Sequence, residues 1–140
     1  MNVLLDTAAW INGVKEPETL PVKALRIMQD DVNHFFLSDI SLLEASMLGR
    51  KHKVDFGMEF TQWLDKALSE NLRVLPISAR IAAVENALPS RFHGDPADRI
   101  IASTAIAHQL ILLTPDRAVA FSSVCDTIQY NWPKRTKKQA

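Results

Sequence analysis

Carboxylate side chains follow apolar runs of this sequence, at points where strands are expected to end. Asp6 closes the apolar run 3–5, and Asp116 follows the run 110–113. Because the carboxyl ends of parallel strands meet at one edge of a sheet, these side chains are expected to lie close together. Carboxylates gathered at one edge repel each other unless a cation joins them, and such hard oxygen ligands suit Mg²⁺ or Mn²⁺. The pattern therefore indicates metal-assisted chemistry on a phosphate.

Glu44 and Asp98 are expected at the same edge, each in the first turn of a helix. Both also have a purely structural explanation. Ser41 and Glu44 match a capping box, and Asp95, followed by a proline, matches the N-cap of the helix that contains Asp98. Helix capping does not require four acids to share one edge, whereas a metal site does. Taken together with Asp6 and Asp116, these residues favour a metal site.

Other residues near the acids have two interpretations. The Thr7 and Thr114 hydroxyls lie beside the expected ligands and are candidates to hydrogen-bond them, with bonding to nearby backbone as the alternative. His93, just before Asp95, is a candidate for metal binding or proton transfer, although a solvent-facing loop histidine is the default interpretation. Trp63 is predicted to be a core residue.

Short apolar runs alternate with segments of helical periodicity along the whole chain. This alternation predicts an α/β fold in which a parallel sheet is covered by helices on both faces. The predicted strands are 3–5, 34–38, 72–77, 110–113 and a weak fifth at 127–129, and the predicted helices are 7–13, 22–32, 41–51, 58–70, 79–88, 96–109 and 118–122.

Length and composition indicate one ordinary globular domain. The chain has 140 residues, with 16 Lys and Arg against 16 Asp and Glu, so residues 1–140 are predicted to form a single domain of no net charge. Basic residues dominate 133–140, which we expect to be a flexible tail, with a phosphate-contacting arm as the lesser alternative. Cys125 is the only cysteine. With no signal peptide or membrane span recognisable, a cytoplasmic location is expected.

Four segments give the chain a family resemblance. They are Leu4-Leu5-Asp6-Thr7, Leu37-Ser38-Asp39-Ile40-Ser41-Leu42-Leu43-Glu44, Asp95-Pro96-Ala97-Asp98-Arg99-Ile100-Ile101-Ala102 and Leu112-Leu113-Thr114-Pro115-Asp116. In this order they resemble the motifs of a PIN-domain protein, specifically a VapC-type toxin of a toxin–antitoxin pair. Ala97 departs from the phenylalanine that is frequent at this place in the family, which affects packing more than chemistry.

The resemblance implies a three-layer α/β/α fold around a five-stranded parallel sheet. It also implies a Mg²⁺- or Mn²⁺-dependent endoribonuclease in which Asp6, Glu44, Asp98 and Asp116 are catalytic. Asp6 and Asp98 would be metal ligands, Glu44 and Asp116 would bind the metal directly or through water, and Asp95 would be accessory. The expected partners are an RNA substrate, a small antitoxin protein and a second copy of the chain.

Competing interpretations are weighed on the same residues. A phosphatase of the haloacid-dehalogenase type would have a second aspartate two places after Asp6, where Ala8 stands, and a response-regulator receiver would have an aspartate at Pro76. A non-catalytic module of the same fold that binds RNA or protein stays open as the alternative. The RNA-binding residues are not specified by the sequence, although some basic residues are candidates to hold phosphates, namely Arg50, Lys51, Lys53, Arg91 and Arg99.

Overall fold

The computed structural model describes residues 1–68, 71–92 and 94–132, and the chain forms a five-stranded parallel sheet. The strand order is β3-β2-β1-β4-β5, and every neighbouring pair is parallel. The predicted fold class, including the weak fifth strand, is confirmed. The strands are β1 Asn2–Leu5, β2 His34–Ser38, β3 Leu72–Leu75, β4 Ile111–Thr114 and β5 Thr127–Gln129.

Helices cover both faces of this sheet. They are α1 Thr7–Lys15, a 3₁₀ turn at Pro17–Thr19, α2 Val22–Gln29, α3 Ile40–Arg50, α4 Phe60–Ala67, α5 Ala79–Asn86, α6 Pro96–His108 and α7 Arg117–Ser122. Among the described residues, none of these helices is long and apolar enough to cross a membrane.

Successive side chains of β1 pack into two different cores. Val3 and Leu5 belong to the cluster beneath α1, α2 and α4, while Leu4 belongs to the cluster beneath α6 and α7. This alternation follows from the two-residue period of a strand, and burial on both faces explains why β1 is apolar throughout its buried part. Trp63 is buried as predicted, and its ring centroid lies 5.0 Å from that of Trp10, whose position the sequence left open.

Several predicted helix ends are wrong. The first helix continues through Gly13 to Lys15, and Gly13 faces Met28 in α2 instead of ending α1. The third helix begins at Ile40, so Ser41 is not its N-cap, and Glu44 lies beyond its first turn. Both the capping box and the first-turn position predicted for Glu44 are therefore wrong.

Four other helices are shorter than predicted, and one of them, α5, ends at Asn86 instead of residue 88. Helix α2 ends at Gln29 instead of residue 32, and α4 starts at Phe60 and ends at Ala67 instead of spanning 58–70. Helix α6 ends at His108 because Gln109 adopts a left-handed conformation with φ of 55°. Predictions for Glu70, for His93 and for the tail 133–140 fall outside the described residues.

Candidate active site

Asp6 lies at the carboxyl end of the central strand. Its Oδ1 accepts a hydrogen bond of 2.7 Å from the Ala9 amide, which caps α1, and its Oδ2 accepts one from the Thr114 hydroxyl. From β1 the chain builds β2 and β3 on one side, and it then crosses over to build β4 and β5 on the other side of β1. Asp6 therefore stands at the topological switch point, where α/β sheets bind ligands.

Thr114 connects Asp6 to Asp116. Its buried hydroxyl donates to Asp6 and accepts a 3.0 Å hydrogen bond from the Asp116 amide. Asp116 is the N-cap of α7, and its Oδ1 accepts hydrogen bonds of 2.8 and 3.2 Å from the Ala118 and Val119 amides. The Thr114 hydroxyl thus hydrogen-bonds both to the predicted ligand Asp6 and to the nearby backbone amide of Asp116, so both interpretations of Thr114 hold.

Glu44 reaches the same edge from α3. The Thr7 hydroxyl, at the start of α1, donates to Glu44 Oε1 and lies 2.8 Å from the hydroxyl oxygen of Ser41. Thr7 and Ser41 are both buried, so this contact joins two helices beneath the acidic edge. The sequence indicated only a capping role for Ser41, because nothing local connects it to Thr7.

Helix α6 brings Asp98 to this edge. Asp95 is its N-cap, and Asp95 Oδ1 accepts a 2.8 Å hydrogen bond from the Asp98 amide, as the sequence predicts for the start of this helix. Arg99 points elsewhere: its guanidinium contacts Glu85 Oε1 at 2.8 Å and donates to the Phe92 carbonyl oxygen at 3.0 Å. Arg99 therefore holds α5, α6 and the loop between them together, which argues against the phosphate-binding role considered for it.

Charge interactions show which acids the fold brings together. Burial raises the pKa of Asp6 to about 7, against the opposing effect of the hydrogen bonds from Thr114 and Ala9, and the negative charges of Asp98 and Asp116 raise it further. The carboxylates of Asp98, in α6, and of Asp116, after β4, are therefore close enough to Asp6 to oppose its ionisation.

The pKa values of Asp98 and Glu44 extend the same cluster. Burial raises the pKa of Asp98 to about 6, and the charges of Asp95, Asp116 and Glu44 add to this effect. Burial also raises the pKa of Glu44, Asp95 adds to the increase, and the hydrogen bond from Thr7 opposes it. Glu44 and Asp98, each linked to Asp95 and to one another by charge, thus join Asp6 and Asp116 in one acidic cluster.

Proteins of known family resemble this chain in sequence. The family profile described as the PIN domain matches residues 3–126. The chain belongs to the PIN-domain family. Ribonuclease VapC22 of Mycobacterium tuberculosis (strain ATCC 25618 / H37Rv) is 36% identical over 117 residues, which are 82% of this chain and 87% of that protein.

Solved structures share the PIN-domain fold at lower identity. VapBC2 from Rickettsia felis, bound to a DNA fragment from its promoter, superposes with a TM-score of 0.71 at 19% identity, covering 94% of this chain and 100% of the other. DNA-bound VapBC from Salmonella typhimurium gives a TM-score of 0.68 at 18% identity and covers 92% of this chain and 98% of the other. At these identities the likeness concerns the fold alone.

The acidic side chains of this PIN domain are of the type that binds Mg²⁺ or Mn²⁺, but their oxygens do not converge on a single position. Within the described ranges, no group of three or more His, Cys, Asp or Glu side chains is arranged to hold a metal ion. Hydrogen bonds occupy one oxygen each of Glu44 and Asp116 and both oxygens of Asp6. All the donors are carboxylate oxygens, the ligand type of hard divalent cations. Burial raises the pKa of Asp6 and of Asp98, and the neighbouring negative charge, which a cation would relieve, raises both further.

Two buried polar residues near this PIN-domain site escaped the sequence interpretation. Asn12 Nδ2 and the Tyr130 hydroxyl are buried without a well-formed hydrogen bond among the described residues. Burial raises the pKa of the Tyr130 hydroxyl, and the nearby Asn12 side chain opposes the increase. The Tyr130 amide donates to the Thr114 carbonyl oxygen at 3.1 Å, which places this residue directly beyond β5 at the acidic edge. No local signal predicts this position, because it depends on how the short strand β5 pairs with β4.

Proposed function

We propose that this protein is a metal-dependent endoribonuclease that acts as the toxin of a toxin–antitoxin pair. The observation that carries the proposal is the acidic cluster: Asp6, Glu44, Asp98 and Asp116 come from four separate parts of the chain and meet at the switch point of the sheet. The charges of Asp98 and Asp116 raise the already elevated pKa of the buried Asp6, and those of Asp116 and Glu44 do the same for Asp98. Identity of 36% with a protein named Ribonuclease VapC22 supports RNA as the substrate.

Mg²⁺ or Mn²⁺ is the cofactor that fits this donor set. Among the described residues, no hydrogen-bond donor reaches the Asp98 carboxylate, so both of its oxygens are available to a cation. Glu44 and Asp116 each keep one oxygen for direct or water-mediated contact. Asp6 would act as a ligand with a carboxylate that Ala9 and Thr114 already orient.

The chain itself supplies orientation and negative charge, and the cation supplies the rest of the chemistry. When bound, a divalent ion offsets the negative charge, polarises the phosphate and makes water a stronger nucleophile. Without a cation, the cluster repels a phosphodiester as well as itself. Thr7 and Thr114 fix Glu44 and Asp6, which limits the motion of two carboxylates while RNA binds. Asp95 holds the start of α6 and thereby the position of Asp98.

The proposed partners follow from the solved relatives. Two structures with this fold are VapBC assemblies bound to DNA, and a third is described as a toxin–antitoxin complex from Klebsiella pneumoniae. We therefore propose that a small antitoxin protein binds and inhibits this chain. The proposal that the active toxin is a homodimer rests on the family resemblance of the sequence alone. A cytoplasmic location goes with this function, since RNA and the antitoxin would be met there.

A cleavage assay tests the enzymatic part of the proposal. Purified protein, separated from any antitoxin, is incubated with total cellular RNA in Mg²⁺, in Mn²⁺ and in EDTA, and the new RNA ends are mapped. We expect discrete cleavage sites with either metal and none in EDTA. Failure to cut any RNA with both metals would contradict the proposal and favour the non-catalytic binding module.

A growth assay tests the toxin part separately. Brief induced expression of the wild-type chain is expected to arrest growth, whereas expression of Asp6→Asn is expected to permit it. The matched control is Asp30→Asn, which makes the same chemical change at an exposed residue directly after α2, away from the acidic cluster. If Asp6→Asn arrests growth as strongly as wild type, toxicity does not depend on the acidic cluster and this part of the proposal is refuted.

A further inference from the structure

Gly94 lies between two side chains that leave no room for a Cβ atom. A Cβ built on Gly94 would lie 2.8 Å from the Asp98 Cβ and 2.9 and 3.0 Å from two ring atoms of Phe92. Ordinary van der Waals contacts of this kind are 3.4–4 Å. The φ angle of Gly94 lies outside the left-handed region, so the cost of a side chain there comes from space alone.

Neither neighbour can move aside cheaply. The Asp98 Cβ is fixed to the backbone of the first turn of α6, which Asp95 caps through the Asp98 amide. The Phe92 ring is 3% exposed and belongs to the core cluster that contains Ile101 and Ala102 of the same helix. A methyl group at position 94 would therefore push the loop against both the start of α6 and the core.

We propose that Gly94 is a positioning residue of the acidic site. Because it has no side chain, the loop before α6 can pass between Asp98 and Phe92, and this close passage fixes where the Asp98 carboxylate stands relative to Asp6, Glu44 and Asp116. The inference rests on the proposed function, because Gly94 matters for cleavage only if the Asp98 carboxylate holds the cation.

The size of the effect follows from the contact. Restoring an ordinary contact of 3.4 Å from 2.8 Å requires a displacement of about 0.6 Å or more between the loop and α6. Misplacing a reacting group by about 1 Å can cost on the order of 10²-fold in rate. We therefore expect Gly94→Ala to lower kcat by roughly 10- to 100-fold and to change KM little, because RNA binding away from the cation is untouched.

Two other glycines provide matched controls. A Cβ on Gly13 would lie 2.9 Å from the Met28 sulfur, and one on Gly49 would lie 2.9 Å from a ring atom of Phe56. Gly13→Ala and Gly49→Ala therefore create close contacts with side chains outside the acidic cluster. The contact with Met28 is the milder one, because it involves the end of a flexible side chain, and Gly49→Ala, which faces an aromatic ring, is the nearer match to Gly94→Ala. Both variants are expected to keep kcat within about twofold of wild type, because their clashes leave Asp98 in place.

Two measurements without RNA accompany the kinetics. Mn²⁺ affinity is measured by calorimetric titration, and backbone amide spectra are recorded on the metal-free proteins. Gly94→Ala is expected to weaken Mn²⁺ binding and to shift amide signals around Asp98, whereas the two control variants do neither. Melting temperatures are compared in parallel, so that a loss of fold is recognised as such.

A rescue variant separates positioning from general damage. Replacing Phe92 by leucine removes the ring atoms on one side of Gly94, so the loop of the Gly94→Ala variant can move away from Asp98. The double variant Gly94→Ala, Phe92→Leu is expected to cleave faster than Gly94→Ala alone, although Phe92→Leu alone should not exceed wild type. A higher cleavage rate of the double variant without a matching rise in melting temperature would assign the rescue to the position of Asp98, whereas a rate that only follows the melting temperature would contradict the positioning role.

The outcomes distinguish this inference from the proposed function. If wild type cleaves RNA and Gly94→Ala cleaves equally well, or if the control glycine variants lose as much activity, the positioning role is refuted. A wild-type protein that neither cleaves RNA nor binds Mn²⁺ refutes the proposed function. The placement of Asp98 by Gly94 is then supported or refuted by the amide spectra alone.

Discussion

Replacing Asp6 by asparagine removes a charge from the acidic cluster while keeping the shape of the side chain. The asparagine Oδ1 can still accept from the Ala9 amide and cap α1. Its Nδ2 would face the Thr114 oxygen, so the Thr114 hydroxyl loses its acceptor, at a cost of about 1 kcal/mol. This cost does not depend on pH, whereas the effect of the lost charge does.

The magnitude follows from the pKa of Asp6, which is 3.8 for the unperturbed group and about 7 in the folded protein. A raised carboxyl pKa means that the neutral form is favoured in the folded state. Its stabilising contribution is fully present below pH 3.8 and is lost as the pH rises to about 7. At about 1.4 kcal/mol per pH unit, wild type loses about 2 kcal/mol of this contribution by pH 5, where Asp6 is ionised mainly in the unfolded state, and at most about 4 kcal/mol by pH 8, where it is ionised in both states.

Metal-free Asp6→Asn is therefore expected to be more stable than wild type by up to about 3 kcal/mol at pH 8 and by only about 1 kcal/mol at pH 5. Urea denaturation in EDTA at both pH values measures the free energy of unfolding, and the cleavage assay with Mn²⁺ is run on the same samples. Cleavage should be absent from the variant. Asp30→Asn is the control and should show neither effect.

Two results would refute this reasoning about Asp6. If Asp6→Asn unfolds at pH 8, the Asp6 carboxylate stabilises the fold through the hydrogen bond from Thr114 and is not a destabilising member of a charged cluster. If the stability difference between variant and wild type is the same at pH 5 and pH 8, the burial and charge interactions assigned to Asp6 are wrong. Cleavage by a stable variant would remove Asp6 from the proposed catalytic set.

Three further predictions test the surroundings of the site. Thr114→Val should lower cleavage by about 10- to 100-fold, because it frees the Asp6 carboxylate, and Thr114→Ser should retain most of the activity, as initial rates will show. Mn²⁺ at about 100 times its Kd should raise the free energy of unfolding of wild type by about 2.7 kcal/mol. Thermal melts with and without Mn²⁺ measure this stabilisation, which should be absent from Asp98→Asn. Arg99→Met should lower the free energy of unfolding by roughly 1–2 kcal/mol, because it removes a partly exposed ion pair with Glu85 and hydrogen bonds to the Phe92 and Glu85 carbonyl oxygens. Equal stability with slower cleavage would instead restore the phosphate-binding role.

Much of the fold could be predicted because its causes are local. Apolar runs of four or five residues form buried strands, and the helical segments between them force parallel crossovers, so the order of strands and helices was readable. The start of α6 was equally clear, since Asp95 and Pro96 act on the backbone beside them. The end of α1 was less predictable, because Gly13 packs against Met28 of α2, a residue that is distant in the chain.

The hydrogen-bond partner of Glu44 could not be predicted from nearby residues in the sequence. Its sequence spacing from Ser41 resembles a capping box, but the helix starts one residue before Ser41 and Thr7 donates to Glu44 from another helix. Arg99 likewise looked available to a phosphate until its contacts with Glu85 and the Phe92 carbonyl were visible. In both cases the deciding partner is distant in the chain and close in space.

The sequence by itself determined which residue types end the strands and that parallel strands would deliver them to one edge, because burial of apolar runs and helical crossovers leave few other arrangements. Only the tertiary structure decided which carboxylate oxygens are held by hydroxyls and amides, which remain available, and how far Asp6 and Asp98 resist ionisation. Those properties depend on burial and on charges that come from different elements, and these interactions exist only once the elements have packed together.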